Sequence, residues 1–331
     1  MAWSGSLTSS SAAGTSITFT PAADTRTYPT DVTTYVGTYT VSTFQAPKKG
    51  IYRFQLYGSG GAQRTENVGP DESGYNTYSG QHGGAAGGQG GYTDGYLLLE
   101  ANQTVYVGAG GCACAAFVSS ANGTKLSAIP ASNLYFVAGG GGNGGGWNDW
   151  KNYTGYNCKC YSGTKGGGEK GEYKTAASNN CWGEPGTQNA GGACADGGTA
   201  VAAGTYGTGG KGRQWNDVDG GKYGAYCGRG GDGYYGGGGA WGSTSTNGLY
   251  AYGGGGGSGY VYAATTTVNS KGYGNTTTQG GGSASNTDGK VVVTYYAAAE
   301  LPIKYNNKPL TKIIYNGKEI TSLYYNGNKI F

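Results

Sequence analysis

Few side chains in this chain could do covalent chemistry, and their spacing argues against it. The single histidine, His82, sits in Ser79-Gly80-Gln81-His82-Gly83, and a catalytic base needs a nucleophile and an orienting group aligned with it. Asp149, Glu172, Asp217, Asp219 and Asp232 are the carboxylates to consider for glycoside cleavage, but nothing in their spacing singles out a pair. Asp217-Val218-Asp219-Gly220 opens like a calcium loop and lacks the later ligands. A phosphate-cradling glycine loop lies between a strand and a helix and ends in Lys-Ser or Lys-Thr, and no helix is visible to follow any glycine run here. These residues predict a protein that is not an enzyme and carries no cofactor or dedicated metal.

The seven cysteines form an odd set: Cys112 and Cys114, Cys158 and Cys160, then Cys181, Cys194 and Cys227. At least one has no partner within the chain. Three readings stay open: disulfides formed in an oxidising setting, with unassigned pairing; buried thiols; and a zinc site built from the two C-x-C pairs, which lack the usual C-x-x-C spacing and flanking histidines.

The densest glycine stretch runs from Gly228 to Gly259, where half of the thirty-two residues are glycine. Each ordered glycine costs roughly 0.5–1 kcal/mol relative to alanine and brings almost no side chain to pack. Such a stretch is either a flexible linker or a set of extended backbones that satisfy one another's N–H and C=O groups. Interleaved Tyr234, Tyr235, Trp241, Tyr250 and Tyr252 favour order, because linkers carry few aromatic rings. The tryptophans Trp147, Trp150, Trp182, Trp215 and Trp241 then have two readings, as caps on the ends of glycine bundles or as exposed rings that bind a sugar or a protein. The recognition set is Trp147, Trp150, Tyr153, Trp215, Tyr226, Tyr234 and Trp241, within residues 147–156 and 213–241.

The elements that must position these residues are strands. Alternation marks Val36 to Phe44 and Ile51 to Tyr57 as a hairpin turned at Pro47-Lys48-Lys49-Gly50, with Tyr52, Phe54 and Leu56 on its buried face. Further strands are expected at 96–99, 104–107, 133–138, 259–268 and 290–296, the last (Lys290 to Tyr296) apolar enough for the middle of a sheet. Nowhere is a 3.6-residue period sustained, and no window of about 18 apolar residues exists. The first residues, MAWSGSLTSSS, lack the basic and apolar regions of a signal peptide. Three regions follow: an arm at 1–34, whose alternating piece Ser16-Ile17-Thr18-Phe19-Thr20 reads as a short strand or as an arm that another chain or layer could hold, a glycine-rich β domain at 35–297 and a C-terminal module at 298–331.

That module is a small repeat. Ile303-Lys304-Tyr305-Asn306-Asn307-Lys308, Ile314-Tyr315-Asn316-Gly317-Lys318 and Tyr324-Tyr325-Asn326-Gly327-Asn328 recur every ten residues, and Asn-Gly is the strongest two-residue hairpin signal. A meander of three turns is expected, too small to be stable alone. Residues 301–331 carry five lysines and one glutamate, whereas residues 1–300 balance to zero. With no basic stripe in the body and tail lysines spaced to guard strand edges, a nucleic-acid partner is not expected.

The order of strand and glycine motifs resembles a known family. Phe44-Gln45-Ala46-Pro47, Gly50-Ile51-Tyr52, Leu56-Tyr57-Gly58-Ser59-Gly60-Gly61, Gly87-Gly88-Gln89-Gly90-Gly91-Tyr92, Val105-Tyr106-Val107-Gly108-Ala109-Gly110-Gly111, Val137-Ala138-Gly139-Gly140-Gly141-Gly142 and Asp288-Gly289-Lys290-Val291-Val292-Val293-Thr294 are similar to the glycine-rich domain of phage and bacterial surface proteins, and to the glycine-rich region of anaplastic lymphoma kinase. The resemblance spans about residues 35–297. It implies a jelly-roll-like, tumour-necrosis-factor-like β-sandwich with packed polyglycine II insertions. The tail resembles the ends of phage structural proteins. Together these imply a virion surface or tail-fibre protein, an adhesin that meets a host cell-surface polysaccharide or protein. The tail would join it to other virion proteins or into a homo-oligomer, a trimer, with no membrane insertion. A structural decoration or fibre protein without a receptor and a polysaccharide-degrading spike are the alternatives. Residues 147–182 and 213–241, rich in Trp, Tyr, Asn and Cys, depart from the family's cleaner glycine insertions.

Overall fold

The structure, a computed structural model, describes residues 2–21, 39–62, 82–110, 113–117, 125–148, 157–172, 182–194, 201–218, 223–245, 248–262, 275–285 and 287–298, together with strand pairs between 304 and 329. The first strands are β1 (Ala2–Ser4), β2 (Ser16–Thr20), β3 (Tyr39–Gln45), β4 (Gly50–Tyr57), β5 (His82–Gly84) and β6 (Gly91–Leu99). Next come β7 (Thr104–Gly110), β8 (Cys114–Phe117), β9 (Leu134–Ala138), β10 (Gly146–Asn148), β11 (Asn157–Cys160) and β12 (Gln214–Val218). The body ends with β13 (Tyr223–Tyr226), β14 (Gly242–Ser245), β15 (Gly248–Ala251), β16 (Tyr260–Val261), β17 (Thr276–Gly281) and β18 (Lys290–Ala298). Among the described residues the only helical turns are two short 3-10 turns, Leu126–Ala128 and Ala131–Asn133, and no helix is long and apolar enough to cross a membrane.

Two antiparallel sheets make a sandwich. One runs β1-β2-β18-β4-β6-β17 and the other β16-β9-β8-β7-β3. Period-two alternation puts Tyr52, Phe54 and Leu56 of β4 into the core with Val291 and Val293 of β18, where they meet Val105 and Val107 of β7 and Phe136 of β9. As its apolar run implies, β18 is interior, hydrogen-bonded to β2 on one side and β4 on the other. The Phe54 ring lies 6.3 Å from that of Phe136 across the sandwich. Gly95, the register partner of Phe54, is what makes room, since a Cβ there would overlap the Phe136 ring.

The hairpin expected from residues 36–57 does not form. β3 pairs with β7 and β4 pairs with β6 and β18, so the turn at Pro47–Lys49 crosses from one sheet to the other. The Glu100–Gln103 turn makes the same crossing from β6 to β7. Asn102 occupies the left-handed region there (φ 65°), which asparagine tolerates better than most residues. The two corners are tied together, Ala46 N donating to Gln103 O at 2.9 Å and Asn102 N to Ala46 O at 2.8 Å. Alternation reports which face of a strand is buried and is silent about its partner.

The alternating piece Ser16–Thr20 is a strand, β2, and it joins the N-terminal residues to this sandwich. β2 lies inside the six-stranded sheet with Phe19 fully buried, and β1 pairs along its free side. Trp3 closes the open side between the sheets: its ring packs 5.4 Å from Phe19 and 6.1 Å from Phe44, and Nε1 donates to Ser42 Oγ at 3.1 Å. Of the strand expected at 259–268, β16 is the described part, residues 263–270 lying outside the described residues. β17 carried no clear sequence signal.

From the strand ends the glycine segments extend as parallel and antiparallel rods. Residues 140–145 show how they are held. Gly140 N donates to Asp232 O, Gly141 N to Ser59 O, Gly142 N to Thr164 O, and then Asn143 N to Arg229 O, Gly144 N to Ala62 O and Gly145 N to Tyr161 O. Every third residue therefore reaches the same neighbour. The carbonyls follow the same period, those of Gly139, Gly142 and Gly145 accepting from Gly91, Gly88 and Ala85. A three-residue repeat is that of a polyproline II-type chain, which has no internal hydrogen bonds and must find partners in other chains. Only glycine permits the approach, because a Cβ on Gly60, Gly142 or Gly254 would overlap the carbonyl of Ala284, Gly254 or Arg229.

Where a side chain enters the bundle it replaces a backbone partner. Asn143 Oδ1 accepts from Ala62 N at 2.8 Å, Thr164 Oγ1 from Gly256 N at 2.7 Å, and Ser258 Oγ from Tyr235 N at 3.1 Å.

The tail repeat gives three separate antiparallel ladders, 304–305 with 308–309, 314–315 with 318–319 and 324–325 with 328–329. Among the described residues no ladder joins one hairpin to the next, so the repeat is a series of hairpins and not one meander.

Candidate functional site: the far end of the glycine bundle

Chain direction decides what meets at each end of the rods. Rods leaving the sandwich at Gly58 and Gly139 run outward to Ala62 and Gly146, and those returning begin at Ala85, Tyr161, Cys227 and Tyr252. Two small sheets stand at the outer end, one in the order β12-β13-β10-β5 and one in the order β11-β15-β14, with β11 and β15 parallel.

Beneath these sheets lies an aromatic cluster. Tyr161 stacks on Tyr252 with centroids 4.5 Å apart and planes 3° from parallel, and Trp182 meets both edge-on at 4.9 Å. Cys227, Ala240 and Ala251 are buried within it, and Cys160, Trp241 and Tyr250 pack against it. The indole N–H of Trp182 is buried and has no hydrogen-bond partner among the described residues. Arg213 lies 3.5 Å over the Trp241 ring, a cation–π contact at the rim.

The expected recognition residues divide. Trp147 of β10 and Trp215 of β12 are both register partners of Ala225, which brings them into one row of the four-stranded sheet. Trp241 is half-buried at the same end. Tyr226 is also there, but at 8% exposure it is part of the packing and offers no ring face to a ligand. Tyr234 is at the opposite end, against the sandwich, stacked 4.3 Å from Tyr260 and edge-on to Tyr206. Trp150 and Tyr153 lie outside the described residues.

Tyr234 belongs to a second ring cluster with Tyr206, Tyr235 and Tyr260. Tyr206 donates to Ile129 O at 2.6 Å, and burial, with its tyrosine neighbours, pushes its phenol up to about 12.

The titratable residues form no catalytic set among the described residues. His82 is in β5, opposite Asn148. Asp232 is buried in the bundle beside Arg229 and accepts Gly209 N at 2.7 Å, and Glu172 pairs with Lys165 at the surface. Asp217 is on β12, and Asp149 and Asp219 lie outside the described residues. No group of three His, Cys, Asp or Glu there could hold a metal.

The cysteines also separate by end. Cys114 is buried in the sandwich with its thiol donating to Tyr57 O at 2.9 Å, and burial pushes its pKa far up, the behaviour of a structural thiol. Cys158 and Cys160 on β11, and Cys227 after β13, are at the outer end. Cys194 follows Ala193, whose carbonyl accepts from Glu184 N near that end, and Cys112 and Cys181 lie outside the described residues.

Trp182 sits where the capping reading has it; what escaped sequence reading was its stack with Tyr161 and Tyr252, and the role of Arg213. The signal was position. Tyr161, Trp182 and Tyr252 each stand immediately before a glycine rod, and Trp241 immediately after one. Compared with protein-family models and with curated proteins, the chain matches none.

Proposed function

We propose that the chain is a virion surface or tail-fibre adhesin whose glycine bundle is a polyglycine II shaft and whose outer end is the host-binding tip. The observation that carries this reading is convergence. Ala62 and His82, Asn148 and Asn157, Val218 and Tyr223, and Ser245 and Gly248 flank the sequence between them, and all are held in or beside the outer sheets. A shaft ordered through main-chain bonds leaves the side chains at its turns free to serve recognition. Trp147, Trp150, Tyr153, Trp215 and Trp241 are the residues proposed to meet a host polysaccharide or protein. Tyr226 and Tyr234 serve packing instead.

The test is a Trp147→Ala, Trp150→Ala and Trp215→Ala triple variant assayed for host-cell adsorption and thermal unfolding. Reduced adsorption with unchanged unfolding supports the reading. Unfolding of the variant assigns these rings to capping, and normal folding with normal adsorption moves recognition elsewhere.

A further inference from the structure

The tail carries the chain's net charge, five lysines against one glutamate in residues 301–331, while the rest balances to zero. Its hairpins repeat one arrangement. Tyr305 stands opposite Lys308, Tyr315 opposite Lys318 and Tyr325 opposite Asn328, each pair closing its turn. One step further out, Lys304 is opposite Pro309, Ile314 opposite Glu319 and Tyr324 opposite Lys329. A two-stranded hairpin of this length is marginal alone, and a tight turn calls for Asn-Asn or Asn-Gly at its centre, not for the tyrosine that precedes each one.

We propose that the tail binds an anionic polysaccharide, with successive hairpins engaging successive stretches of one polymer chain. A repeated site suits a repeated ligand, because contacts weak singly multiply when linked. Tyrosine supplies an amphipathic ring for the C–H face of a sugar, and lysine a compact charge for an isolated carboxylate or phosphate. Charge density separates this ligand from a nucleic-acid duplex. A duplex carries one phosphate about every 1.7 Å. The tail spreads five lysines from Lys304 to Lys329, a spacing suited to a polymer with sparse charge. This site is independent of the tip reading and would survive its failure.

The experiment is calorimetric titration of the full chain with galacturonic acid, with short and long oligogalacturonates, with a phosphomannan, with neutral dextran and with a duplex oligonucleotide. A long charged glycan should bind about 100-fold tighter than its short oligomer. Dextran and the oligonucleotide should bind weakly or not at all. Whether the carboxylate or the phosphate polymer binds names the charged group. A full-chain Tyr305→Ala, Tyr315→Ala and Tyr325→Ala variant should lose the length dependence while the body unfolds at an unchanged temperature. Oligonucleotide binding equal to the glycan's would reduce the effect to bare charge and overturn the proposal. So would binding that ignores polymer length, binding untouched in the tyrosine variant, or failure of both charged polymers to bind. A tyrosine variant that changes the protein's mass in solution while binding glycan normally would make the tail an assembly element instead.

Discussion

Arg229 and Asp232 form an ion pair on one side of a glycine rod, three residues and therefore one turn apart. Both side chains are 7% exposed, and each has a second bond: Arg229 Nη1 donates to Gly230 O at 2.8 Å, and Asp232 Oδ1 accepts Gly209 N at 2.7 Å. The charges are compensated within one rod, and the bond from Gly209 N ties the pair to a neighbouring one. Removing one partner strands the other. Asp232→Ala should cost about 3–5 kcal/mol in denaturant unfolding, and a double change to apolar residues of similar volume should cost less.

Inside the bundle, substitution should be judged by main-chain contact alone. Gly142→Ala places a methyl group against Gly254 O, and neither chain can retreat without breaking bonds to further rods. The expected loss is about 3 kcal/mol or more, the upper range for overpacking. Hydrogen exchange should show it as lost protection at Gly88 and Thr164 rods while β4 and β18 stay protected. Exchange unchanged in the rods would show the bundle to be looser than its bonds imply.

Trp3 makes the N-terminal strand structural. Trp3→Ala removes ring contacts to Phe19 and Phe44 and the bond to Ser42, and about 3–5 kcal/mol of stability should go with them. A chain lacking residues 1–15 should be destabilised by at least as much in the same unfolding assay. Wild-type stability in either case would make this region an appendage after all.

Alkaline pH should unfold the protein through its tyrosines. Burial raises the phenol of Tyr206 to about 12 and raises those of Tyr52, Tyr92, Tyr96, Tyr135, Tyr234 and Tyr260. The folded state holds these protons more tightly than the unfolded state. Their stabilisation is whole below about pH 10, the ordinary tyrosine value, and falls away as pH rises through the folded values. The share of tyrosinate absorbance that belongs to these tyrosines should rise late and jump with unfolding between about pH 10 and 12, and a single titration centred at about 10 with no late step would contradict it.

Legibility followed the range of the signal. Tyr52, Phe54 and Leu56 announced a buried face, and Val291 to Val293 an interior strand, because those patterns are local. The partner of β3 was not legible, since Pro47–Lys49 reads as a hairpin turn whether its strands pair or part. Glycine content announced backbone packing, but which rods touch depends on bonds between residues as distant as Ala62 and Gly144. Trp241 and Tyr234 stand seven residues apart, and sequence reading joined them in one site. One outward rod, Gly236 to Ala240, separates them and carries them to opposite ends.

The alternation of outward and returning rods has a consequence for change over time. Each segment between an outward and a returning rod is flanked by chains whose order comes from main-chain bonds. If the outer end is the host-binding tip, its segments are interchangeable parts, open to replacement by length and sequence, while shaft positions such as Gly60, Gly142 and Gly254, where a Cβ would meet a carbonyl, are closed to drift. A lineage of such proteins would keep its stalk and rewrite its head.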